Sequence, residues 1–195
     1  MLARRFGGYS RCSTRDSYGT VGGFWGQLLY SILYFLSAAV GTWVTPKASI
    51  LTAIIGGFLV FPLMRLMLRL EGRRPMSKEN PFYWLCMQIA FVLPLSMLLL
   101  WPVGLYRLNW FFPALMILVG AHYLPFATSY GMRMFLFLAG ILVAEGYMIA
   151  VYFSASFSLG AWVTGFTLFV FAWIGRSIAT SEAKRQIDAR TEAAL

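Results

Sequence analysis

A chain of 195 residues with 59% hydrophobic and only 12% charged residues carries more apolar surface than one water-facing globule of that size can bury. This composition excludes disorder, a collagen-like repeat, a disulfide scaffold and an ordinary soluble enzyme, and it leaves a polytopic membrane protein. Sixteen Lys and Arg against seven Asp and Glu give a net charge of +9, which in a soluble protein would suggest nucleic acid. Here the cations lie in tails and loops between long apolar runs, so the expected partners are the bilayer and anionic lipid heads at its cytoplasmic face, with no nucleic acid.

Residues 1–22 are rich in Arg and Ser, with Asp16 as the single acid. A transit peptide has that composition, but a basic cytoplasmic tail fits the topology better. Six apolar runs follow, at about 24–44, 48–70, 82–106, 108–130, 132–153 and 159–179. Each approaches the 20 or so residues that a helix needs to cross hydrocarbon. They are continuous and do not alternate, so helices are expected and strands are not. The first run is too long for a signal-peptide core and should be retained.

The intervening turns are short. Thr45, Pro46 and Lys47 join the first pair, and proline suits the first turn of the helix that follows. Residues 71–81 form the main polar loop, while the chain turns tightly near Arg107 and near Gly131. Such turns make sequential helices antiparallel, giving an up-down bundle. Fourteen of the sixteen cations fall on one side of this arrangement, and only Lys47 and Arg107 on the other. The positive-inside rule then puts both termini in the cytoplasm. The expected organisation is an all-α integral membrane protein: a basic tail at 1–22, a six-helix transmembrane domain at 23–180 and a cytoplasmic helical stub at 181–195. Trp25, Trp43, Trp84, Trp101, Trp110, Trp162 and Trp173 mostly fall near segment ends, as an interfacial belt would.

Prolines 62, 94, 102, 113 and 125 lie within the spans, where each can bend its helix. Small residues at Gly140 and Ala144, and at Ala161 and Gly165, are spaced for close helix contact. They read as packing within the chain, with a homodimer seam as the second option.

Cys12 and Cys86 are far apart and His122 is the single histidine, so no disulfide framework, zinc site or bis-histidine haem is expected. No cofactor motif appears. Function must therefore be sought among polar residues inside the spans, which are costly there and usually face the bundle interior. Glu145 lies near the middle of the fifth run. It must be neutral or paired, as a proton relay or cation site or as a hydrogen-bonded structural acid. His122 sits between Gly120 and Pro125 in the fourth run, about five residues from Glu145 in depth, or roughly 7–8 Å. Gln88 lies at the depth of His122, and Tyr123, Tyr147 and Tyr152 are candidate bridges. Arg65 lies closer to the surface and can snorkel. A Ser129–His122–Glu145 triad can be drawn, but no nucleophile-elbow sequence supports it, and membrane hydroxyls usually bond their own backbone. No catalytic residue is assigned.

The second run contains Gly56, Gly57, Phe58, Leu59, Val60, Phe61 and Pro62; the fourth contains Gly120, Ala121, His122, Tyr123, Leu124, Pro125 and Phe126. Chance recurrence explains their likeness to one another better than an internal repeat. The two segments resemble a family of small, uncharacterised bacterial multi-helix membrane proteins, over most of the chain from about Gly22. The resemblance implies a multi-pass protein of the bacterial cytoplasmic (inner) membrane and transfers no activity. The expected function is a transporter-like or small-ligand- or ion-binding bundle with a site at Glu145, His122, Gln88, Tyr123, Tyr147, Tyr152 and Arg65. The alternatives are a non-catalytic membrane subunit for assembly or lipid binding and, more remotely, an intramembrane lipid-modifying enzyme.

Overall fold

A computed structural model describes residues 23–72, 83–130 and 132–192. The basic tail, most of the polar loop at 71–81, and the side chains of Cys86 and Ser129 lie outside the described residues. Among the described residues six α-helices carry the fold: α1 (Phe24–Trp43), α2 (Pro46–Leu70), α3 (Tyr83–Tyr106), α4 (Phe111–Tyr130), α5 (Met134–Tyr152) and α6 (Leu159–Glu192). No strand occurs among the described residues. Five helical stretches are long and apolar enough to cross a membrane, and α3 adds a shorter apolar stretch at Phe91–Tyr106.

Local chemistry sets several boundaries. Gly23 adopts a left-handed conformation, with φ of 75°, at the entry to α1. Thr45 caps α2 by accepting a hydrogen bond from the Ala48 amide at 3.2 Å, and Pro46 occupies the first turn. The fourth apolar run divides. Its start, Leu108–Trp110, is a short 3-10 turn, and Pro113 falls in the first turn of α4. The sixth helix does not stop where the apolar run ends but continues to Glu192 through residues of good helix propensity.

α1 packs between α2 and α6, α5 packs between α4 and α6, and α3 packs on α4. α1 and α6 are antiparallel. The Ser31 hydroxyl donates to the Gly165 carbonyl at 2.8 Å, Phe24 lies against Trp173, and Trp43 lies against Trp162. α4 and α5 approach closely through glycines. A Cβ on Gly120 would meet the Val143 side chain at 2.9 Å and the Ala139 carbonyl at 3.0 Å. One on Gly146 would meet the Pro113 carbonyl at 2.9 Å. Small residues of this kind are what let helices associate where hydrocarbon solvent gives no hydrophobic drive. Gly165 does the same for α1 and α6, against Phe35. Gly140 and Ala144 do not pack within the chain; both are exposed on α5.

The core is an apolar cluster built largely from α4, α5 and α6, including Phe112, Met116, Phe135, Leu138, Leu142 and Leu168. The antiparallel directions divide the cations between two ends. Lys47 and Arg107 share the end with the α5–α6 loop, and Arg65, Arg69, Arg133 and Arg176 lie towards the other. At the first end Arg107 stacks over Trp110 at 5.0 Å, and Asn109 Nδ2 donates to the Ser154 and Ala155 carbonyls at 2.8 and 3.3 Å. At the second, Arg176 lies 4.6 Å over the Phe24 ring. These cation–aromatic pairs suit the wet margins of an apolar slab.

Candidate functional site

α5 is apolar along its length except at Glu145, about two residues from its midpoint. The tight seat of Gly146 against α4 fixes the rotation of α5, and Glu145 then turns towards α6. There Thr167, itself buried, donates its hydroxyl to Glu145 Oε2 at 3.0 Å, with Oε1 at 3.4 Å. The carboxyl is half-buried, between α5 and α6 rather than at the centre of the bundle. A single neutral hydroxyl is a weak counterpart for an ionised carboxylate in an apolar setting.

His122 looks the other way. Its ring meets Tyr123 and Phe126 edge-on, at 6.0 and 5.2 Å between centroids, and approaches the Ile89 backbone of α3. Its Nδ1 is buried without a hydrogen-bond partner among the described residues. Tyr123 is buried and stacks on Phe135 with 13° between the ring planes. Gln88, Tyr147, Tyr152 and Arg65 are exposed, and Arg65 lies over the Phe61 ring. The described contacts thus turn Glu145 of α5 towards α6 and His122 of α4 towards α3, with no contact between the two among the described residues. Their depths follow from counting residues along the spans, whereas the direction each side chain faces follows from how the helices are rotated. Among the described residues, no group of three or more His, Cys, Asp or Glu could hold a metal ion.

Sequence reasoning passed over several interior polar groups. Gln27, Ser31 and Ser37 on α1, Ser49 on α2, and Thr164 and Thr167 on α6 are all buried. The signal was present: Phe24, Gln27, Ser31, Tyr34 and Ala38 recur at steps of three and four and form the buried face of α1. Uncharged polar residues sharing one face of an otherwise apolar helix face inward for the same reason that charged ones do.

A cavity opens between α1, α2, α3 and α4. α1 contributes Tyr30, Tyr34 and Ser37 to its wall, α2 Gly57, α3 Pro94 and α4 Val119. Neither Glu145 nor His122 lines it.

An all-helical bundle with five long apolar helices, polar groups turned inward and apolar side chains over much of its surface is an architecture compatible with a membrane protein. The chain belongs to a family of unknown function, DUF7010, which matches residues 17–176. Comparison with curated proteins and with solved structures finds no match.

Proposed function

We propose that this chain is a multi-pass protein of the bacterial inner membrane that crosses the bilayer six times and holds a small monovalent cation, the proton included, at Glu145. α3, with its apolar stretch at Phe91–Tyr106, supplies the sixth crossing. An even number of crossings suits the contact between the start of α1 and Arg176 on α6, which puts both at one end. The positive-inside rule makes that end cytoplasmic. The reading is carried by one observation. Glu145 lies in an apolar helix, and the partner described for it is the Thr167 hydroxyl. Such an acid is relieved by taking up a proton or a cation, and a group that can gain and lose one inside a span is the element a transporter-like bundle needs. Six helices are few for a transporter, and the outward-facing Gly140 and Ala144 offer a close-packing seam for a homodimer.

The test is thermal unfolding of the full chain in nanodiscs, titrated with sodium, with potassium and across pH 5 to 9, for wild type, Glu145→Gln and Thr167→Val. An occupant at ten times its Kd should raise the midpoint of wild type by about 3–5 °C. Glu145→Gln should lose this response and Thr167→Val should weaken it. A wild-type midpoint that ignores both cations and follows the same pH profile as Glu145→Gln would remove the cation reading and favour a non-catalytic subunit.

A further inference from the structure

The described hydroxyls within the helices share a habit. Thr42, Thr52, Ser96, Thr164, Ser177 and Thr180 each donate to the carbonyl four residues back. Ser31 and Ser49 instead reach across to carbonyls of neighbouring helices, at 2.8 and 2.6 Å. Ser37 departs from both patterns. It is fully buried, its Oγ has no hydrogen-bond partner among the described residues, and it lines the cavity between α1, α2, α3 and α4. A hydroxyl stripped of water and left unpaired costs stability until something bonds to it.

The cavity has the chemistry to supply a partner. Its volume is about 50 Å³. That is room for a small oxygen-bearing head group, with the rest of a guest lying along the open mouth. Tyr30 and Tyr34 also line it, and no Asp, Glu, Lys, Arg or His does so among the described residues. The remaining wall is hydrocarbon, with Leu33, Leu93 and Met97 among its members. An ion would find no counter-charge there, whereas an uncharged molecule with one oxygen would find donors in the wall and apolar surface elsewhere. The mouth sets the route of entry. Phe58 lies on its rim and is 62% exposed, on the same apolar flank as Leu59 of α2 and Leu95 of α3. α2 packs chiefly on α1 and α3 chiefly on α4, so the two hairpins leave this cleft between them.

We propose that the cleft binds a membrane-dissolved neutral amphiphile, a chain or ring bearing a single alcohol or carbonyl oxygen, which enters sideways and bonds the Ser37 and tyrosine hydroxyls. The site is separate from Glu145 and stands or falls independently of the cation reading.

The test uses the full chain in phosphatidylcholine nanodiscs and a diazirine-bearing hexadecanol as the probe, with crosslinked peptides mapped by mass spectrometry. Label should concentrate on the peptides carrying Tyr30 to Ser37 and Leu93 to Met97. Excess hexadecanol should suppress it, and hexadecane, which lacks the oxygen, should not. Gly57→Leu is the decisive variant. Gly57 lines the cavity and a Cβ there would meet nothing within 4 Å, so the larger side chain fills the space without a clash. It should lower labelling about tenfold with an unchanged unfolding midpoint. Ser37→Ala should weaken hexadecanol competition about five-fold, the loss of one hydrogen bond, and it decides the matter alone if Gly57→Leu does not fold. Label spread evenly over the outer faces of α2 and α3, or hexadecane competing as well as hexadecanol, would overturn the proposal.

Discussion

The α4–α5 pair and the α2–α3 flank are built from the same residue types and behave as opposites. In the first, glycines bring backbones together and Phe112, Phe135, Leu138 and Leu142 are sealed inside. In the second, Phe58, Leu59, Phe91, Leu95 and Trp101 face outward, and the two helices leave an open cleft. Composition does not separate the two regions, since both are largely apolar. Glycine placed opposite a backbone carbonyl does. The contrast suggests a division of labour, with a packed half that sets the geometry of Glu145 and a loosely covered half that admits a guest.

Substitutions can break this contrast. The largest effect should come from emptying the packed half. Phe112 is fully buried, and Phe112→Ala should cost about 3–5 kcal/mol, read from denaturant unfolding in mild detergent. Phe58→Ala on the open flank should stay within about 0.5 kcal/mol. A cost for Phe58→Ala near that of Phe112→Ala would dissolve the contrast. Overfilling comes next. Gly146→Leu drives a side chain into the Pro113 carbonyl and should cost about 1–3 kcal/mol or more, visible as a lower melting midpoint and a smaller folded yield. The smallest change in monomer stability should follow from Gly140→Leu, because a Cβ there meets nothing within 4 Å. Unfolding of the monomer should move by no more than about 0.5 kcal/mol, while the dimer fraction in nanodiscs, counted by single-molecule photobleaching, should fall. An unchanged dimer fraction would take the seam away from this face.

The extent of each helix was legible wherever an apolar run had a chemical stop. Thr45 and Pro46 open α2 as their cap and first-turn chemistry dictates. The start of α4 was less legible, because Leu108 and Asn109 are as compatible with a 3-10 turn as with a helix. One relation of depth between neighbouring helices can be compared. Counting residues placed Gln88 level with His122, and the His122 ring does approach Ile89, the next residue along. Rotation about the helix axis was not legible from charge and depth alone. It depends on which glycine meets which backbone, as at Gly120 and Gly146, and that is a property of pairs of helices. For the same reason Glu145 stood out in the sequence while its partner Thr167, on the next helix, did not. The cleft was legible least of all, since it is the space that four helices decline to fill.

α6 has one further consequence. It runs unbroken from Leu159 to Glu192, while its apolar stretch ends at Ser181, so the helix projects beyond the slab its own side chains define. From Thr167 to its far end is about 37 Å at the helical rise, so a tilt of about 5° at the carboxyl contact swings the tip by about 3 Å. The segment that donates to Glu145 is thus also a lever, and on the proposed reading the occupancy of the carboxyl is transmitted to whatever rests on its distal turns.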